Sequence, residues 1–164
     1  MPFIVLEGLD GAGKTTQVNK LTDLLSAKGI DYEYLHFPRF DSPVYGELIA
    51  RFLRGEMGSI DSVDPYLVAL IFAGDRADAA PMMKQWLADG KVVLTDRFVN
   101  SNSAFQRAKD DSTLEQDKPR HWIIELEFGY NKLPHPDLAI CLDVPLASTE
   151  SHLPKPRQGD GRGY

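Results

Sequence analysis

Eight residues near the start of the chain, Gly8-Leu9-Asp10-Gly11-Ala12-Gly13-Lys14-Thr15, have the spacing G-x-x-x-x-G-K-T. Glycines permit backbone torsions that aim successive N–H groups into one concavity, and such a concavity binds anions. A helix starting after Lys14 and running through Thr16 adds unpaired N–H groups and the positive end of its dipole. Lys14 then brings a full charge to β- and γ-phosphates, and Thr15 brings a hydroxyl to Mg²⁺. The chemistry expected is the binding of a nucleoside triphosphate with magnesium. Kinases, GTPases and motor ATPases share this loop, so it does not identify the acceptor.

Three other clusters bear on the acceptor. Thr95-Asp96-Arg97 follows a buried apolar run, at the strand edge where open α/β sheets bind ligands. There an aspartate can orient Mg²⁺ or its waters, and an arginine can neutralise a phosphoryl group in transfer. Phe72 and Arg76 are four residues apart on a predicted helix and share a face, an aromatic ring beside a fork of donors. Taken alone, that pair is equally a core ring and a solvated cation. Phe37-Pro38-Arg39 closes a second strand, where Arg39 is either a phosphate grip or an ordinary surface residue.

The elements that must position these residues follow from pattern. Phe3 to Glu7 is a short apolar, β-branched run that stops at Gly8. Thr15 to Lys28 takes helical period, with Val18, Leu21, Leu24 and Leu25 on one face and Gly29 as the stop. Tyr32–His36 reads as a strand, and Ser42–Arg54 as a helix facing inward through Leu48, Ile49 and Phe52. Asp64-Pro65 is a helix start, an N-cap residue before proline. That helix carries Leu67, Leu70, Ile71 and Phe72, and Pro81 is expected to kink or divide it before an end near Gly90. Val92–Asp96 is a third strand, Lys118–Phe128 a helix with Trp122, Ile123 and Leu126 inward, and Leu138–Leu142 a fourth strand. Alternating strands and helices imply right-handed β-α-β units and a parallel sheet covered on both faces.

Four stretches in this order and spacing resemble the thymidylate kinases, a P-loop nucleoside monophosphate kinase family. They are Glu7 to Gln17, Phe37-Pro38-Arg39, Leu70 to Arg76, and Asp96-Arg97-Phe98 through Ser101 to Gln106, within a similarity spanning residues 3 to 145. The resemblance implies an α/β three-layer P-loop NTPase fold, with a parallel sheet flanked by helices and cut short at the C-terminus. It implies transfer of the γ-phosphate of ATP to dTMP, with Mg²⁺, by a homodimer. It also assigns roles. Phe72 stacks on thymine, and Arg76 bonds its carbonyl edge. Arg39 and Arg97 hold the acceptor phosphate, with Phe37 beside it, and Asp10 joins the metal and phosphate network with Thr15 and Asp96. Ser101 and Asn102 help place the base, Phe105 packs beside the sugar, and Gln106 belongs to the same wall. Lys14, Arg97, Asp10 and Arg39 form the catalytic set.

Some positions depart from the family pattern. Phe98, Phe105 and Phe40 stand where tyrosine is frequent, which removes hydroxyls that could bond sugar or phosphate. Gly11 stands where some members carry a phosphate-loop arginine, so positive charge is expected from a lid, with Lys155, Arg157 and Arg162 as its candidates. Residues 148 to 164 lack hydrophobic period and read as an incomplete lid at the end of a single domain of residues 1–164.

Composition sets the remaining bounds. The chain has 164 residues, 43% hydrophobic, enough for one core. A net charge of −6 argues against nucleic acid or anionic lipid as a partner. No run approaches a membrane span, no signal peptide is visible, and the expected location is cytoplasmic. Cys141, the one cysteine, lies in an apolar strand and is expected to be a buried thiol. His36, His121, His135 and His152 have no metal-ligand spacing. Two other readings remain: a kinase of another nucleoside monophosphate or of a deoxynucleoside, and a nucleotide-binding protein impaired by its missing lid and terminal elements.

Overall fold

The computed structural model describes residues 1–59, 62–107, 113–145 and 149, without the side chains of 106–107 and 113–117. Four strands, β1 (Phe3–Gly8), β2 (Tyr32–His36), β3 (Val92–Asp96) and β4 (Leu138–Leu142), form one parallel sheet in the order β2-β3-β1-β4. Leu6 lies opposite Asp96, and His36 opposite Asp96 on the other side, so the C-terminal ends of β1, β2 and β3 are level. The phosphate loop leaves the sheet at this edge.

Helix α1 (Lys14–Ala27) packs Val18 against Leu6 and Leu94 and also buries Leu25, while Leu24 faces solvent. The larger core lies on the opposite face of the sheet. There Phe3, Val5 and Val93 pack with Ala69, Ala79, Ala80 and Met83 of α3 (Pro65–Ala88) and with Ile123 of α5 (Thr113–Ile124). Asp64 caps α3, its carboxylate accepting from the N–H groups of Tyr66 and Leu67 at 2.8 and 3.3 Å. Helix α2 (Tyr45–Leu53) begins three residues later than its pattern suggests and leans on α3, where Gly74 leaves the Tyr45 ring room to approach.

The structure corrects three expectations. Pro81 does not divide α3, which runs unbroken for 24 residues. Proline forfeits one backbone bond, but residues on both sides of it are anchored in the same core. Val99–Arg107 forms a helix, α4, absent from the pattern-based reading. Cys141 is exposed, because β4 is the outer strand and its main contact is the β1 edge. After α5 the chain continues as a π-helical turn, Glu125–Tyr130, which bears on the site.

Candidate active site

The phosphate loop is strongly turned, with Gly11 at φ +79° and Gly13 at φ +89°. A Cβ at Gly11 would meet the Thr149 carbonyl oxygen at 2.7 Å, so any side chain there must displace that segment. Lys14 folds back over the loop. Its Nζ donates to the carbonyls of Gly8 (3.1 Å) and Leu9 (2.9 Å) and lies 4.0 Å from Asp10 Oδ1. Burial lowers the Lys14 pKa, and the Arg97 charge lowers it further, against the opposing pull of Asp96, Asp10 and Glu7. A multiply charged anion in the loop would relieve that strain. Thr15 and Thr16 stay exposed at the helix start, free to meet a ligand.

At the end of β3 the chain turns sharply. Arg97 has φ +65°, a left-handed conformation that costs a bulky residue about 1–3 kcal/mol and clusters at functional sites. The turn sends neighbouring side chains apart. Asp96 stays in the sheet edge, Phe98 enters the core, and Arg97 swings toward the phosphate loop. Three bonds hold it: the Arg97 N–H donates to Leu6 O (2.8 Å), Nη2 to Asp10 Oδ1 (2.6 Å) and Nη1 to Ser101 Oγ (3.2 Å). Its guanidinium also lies 5.6 Å from the centre of the Phe105 ring.

Behind this arginine stands Glu7, a residue given no role by the sequence reading. It is buried, accepts from the Phe98 N–H at 3.1 Å and meets the Ser101 hydroxyl at 2.5 Å. Ser101, expected beside a base, is therefore engaged between Glu7 and Arg97. Asp96 is buried, with Oδ2 3.3 Å from His36 Nδ1 and Oδ1 without a partner among the described residues. An orphaned carboxylate oxygen at this edge, which with Asp10 acts on the charge of Lys14 in the phosphate loop, is a ligand suited to Mg²⁺ or its waters.

On the acceptor side, Arg39 is clamped. Its Nε donates to Asp75 Oδ1 (2.9 Å), its Nη2 to Asp75 O (2.9 Å) and Asp78 Oδ2 (2.7 Å), and its backbone N–H to Asp75 Oδ2 (2.8 Å). Burial alone would lower its pKa, but the bond to Asp78 and the charge of Asp75 prevail and raise it. Arg76 is 2% exposed and forms a two-pronged pair with Glu127, Nε and Nη2 each 2.6 Å from a carboxylate oxygen. Asn102 Nδ2 donates to Glu127 Oε1 (3.0 Å) and to Ala69 O (3.1 Å). Glu127, fully buried on the π-helical turn, is the second residue that sequence reasoning missed. Its partners lie 51 and 25 residues away, beyond any local pattern.

The aromatic candidates separate. Phe72 is half-buried, edge-on to Phe52 at 6.5 Å, and Phe105 is 55% exposed. Phe37 and Phe98 belong to the core, where Phe98 packs on Phe3, Phe37 and Phe128. The missing hydroxyl at Phe98 therefore faces packed side chains rather than a sugar. Gln106 lies in α4, its side chain outside the described set, as are Lys155, Arg157 and Arg162.

Comparison with known proteins gives a consistent result. A family model described as thymidylate kinase matches residues 6–155. A thymidylate kinase of Mycobacterium tuberculosis is 37% identical over 142 residues, covering 87% of this chain and 65% of that protein. The thymidylate kinase of Homo sapiens is 35% identical over 145 residues, covering 88% and 62%. The structure of thymidylate kinase from Candida albicans superposes with a TM-score of 0.74 at 25% identity, over 91% of this chain and 65% of that one. The chain thus spans less than two thirds of the length of these three proteins.

Proposed function

The chain belongs to the thymidylate kinase family, and from that premise we propose that it transfers the γ-phosphoryl group of ATP to dTMP. The observation that carries the reading is the position of Arg97. One guanidinium touches Asp10 of the phosphate loop and Ser101 of the acceptor-side helix, and so stands between donor and acceptor.

In the proposed step an oxygen of the dTMP phosphate attacks the γ-phosphorus, and the bond from that phosphorus to the β–γ bridging oxygen breaks. The products are dTDP and ADP. The attacking oxygen is already anionic at neutral pH, so no general base is needed. What the chain supplies is alignment, charge and exclusion of water. Lys14, freed from the carbonyls of Gly8 and Leu9, turns to the terminal phosphates. Arg97 stabilises charge on the group in transfer, and the clamped Arg39 holds the acceptor phosphate in a fixed place. Phe72 stacks on the base, and Arg76 with Asn102 reads its edge.

Thr15, Asp10 and Asp96 would hold Mg²⁺, which supplies charge neutralisation at the terminal phosphates. Leu67 and Leu70 stay exposed on α3 and suit a homodimer interface. A cytoplasmic location goes with this reading, and no described helix is long and apolar enough to cross a membrane.

Phosphorus NMR of a mixture with ATP, Mg²⁺ and dTMP tests the step. The expected result is growth of the dTDP resonances, lost in Lys14→Ala and Arg97→Ala. Turnover surviving both substitutions would sink the proposal.

A further inference from the structure

We propose that Glu127 is a positioning residue that sets thymine specificity, by fixing the order of donor and acceptor that Arg76 and Asn102 present. The inference rests on the kinase reading above and deepens it.

The argument starts from the hydrogen-bond inventory. Glu127 is a carboxyl side chain without exposure, and such a group persists in a core only when its oxygens are paired. Oε2 accepts from Arg76 Nε, and Oε1 accepts from both Arg76 Nη2 and Asn102 Nδ2. On the arginine, Nε and one hydrogen of Nη2 are spent, leaving Nη1 and the second Nη2 hydrogen outside the pair. On the asparagine, both amide hydrogens are spent, one on Glu127 and one on Ala69 O. Its Oδ1 is buried and has no partner among the described residues.

The carboxylate thereby dictates which way the amide faces. Turned over, Asn102 would set its oxygen against the Glu127 carboxylate and the Ala69 carbonyl, three acceptors without a hydrogen among them. The asparagine is locked as an acceptor, while the arginine can only donate. Glu127 thus fixes a donor next to an acceptor.

Pyrimidines differ in this code. Thymine shows a carbonyl acceptor at O4 beside an N3–H donor, which complements a donor followed by an acceptor. Cytosine shows an amino donor at N4 beside a bare N3 acceptor, the reverse order. A site whose asparagine could turn over would partly accommodate both.

The experiment measures equilibrium binding of dTMP and dCMP to the full chain, with ATP binding and the melting temperature as controls for folding. Glu127→Gln keeps the volume but offers one acceptor oxygen and an amide donor, which frees Asn102 to reverse. The expected result is a fall of about tenfold or more in the dTMP-to-dCMP affinity ratio, with ATP affinity retained. Glu127→Asp keeps the charge and withdraws it by one methylene, and it supplies the same ratio if the glutamine variant does not fold. An unchanged ratio in a folded variant would overturn the inference and leave the kinase reading standing. Wild-type protein that binds dCMP within about threefold of dTMP would overturn it without any variant. Failure of the wild type to bind dTMP at all would overturn the kinase reading and this inference together.

Discussion

Asp10 and Arg97 are 87 residues apart in sequence and 2.6 Å apart in space, and the same Asp10 oxygen lies 4.0 Å from Lys14 Nζ. One exposed carboxylate therefore links the cation of the phosphate loop to the cation at the end of β3. Asp10→Asn should loosen Arg97 and lower kcat by on the order of tenfold, with little change in melting temperature because Asp10 is exposed. Arg97→Ala should cost about 10²–10³-fold in kcat, the scale of losing one fixed donor at a developing charge. Steady-state kinetics beside thermal melting separates these outcomes from misfolding.

The lowered pKa of Lys14 has two consequences of defined sign. The folded value lies below the ordinary 10.5, so the unfolded chain binds more protons between the two values. This group therefore opposes folding at neutral pH, and its penalty fades as pH rises through the folded value toward 10.5. Lys14→Met should accordingly melt no lower than the parent while losing ATP binding. The alkaline limb of the rate profile should begin below 10.5 and move upward in Lys14→Arg.

Gly11 and Gly13 provide a matched pair. Both have left-handed torsions, which cost a side chain about 1–2 kcal/mol. A Cβ on Gly13 meets nothing within 4 Å, whereas on Gly11 it meets the Thr149 carbonyl. Gly11→Ala should therefore destabilise more than Gly13→Ala in denaturant titrations. Equal losses would show that the Thr149 contact carries no weight.

Introducing tyrosine at two positions where the resemblance leads one to expect it should give opposite results. Phe98 is enclosed by Phe3, Phe37 and Phe128, so Phe98→Tyr buries a hydroxyl without a partner and costs about 1–3 kcal/mol. Phe105 is exposed beside Arg97, so Phe105→Tyr should leave stability unchanged. Chemical denaturation of the two variants checks the contrast.

Much of this site could be read from residues in order, because phosphate loops, caps and buried strands are local patterns. The loop, the strand ending on Asp96 and the Asp64-Pro65 start all express their physics within a few residues. Other parts could not be read that way. Helix α4 is rich in Asn and Ser, which compete with the helical backbone, so its sequence carries little helical signal. Glu7 and Glu127 read as surface charge until their distant partners are placed against them. Pro81 misled because core packing on both sides of it outweighed the local rule, and Cys141 because an apolar run does not tell an outer strand from an inner one.

The central claim is that this chain phosphorylates dTMP, and a coupled ADP-release assay with ATP and Mg²⁺ tests it most directly. The acceptors compared are dTMP, dCMP, dGMP, thymidine and none. The account predicts ADP formation largely confined to dTMP. Equal release without acceptor, or turnover favouring another acceptor, would contradict it.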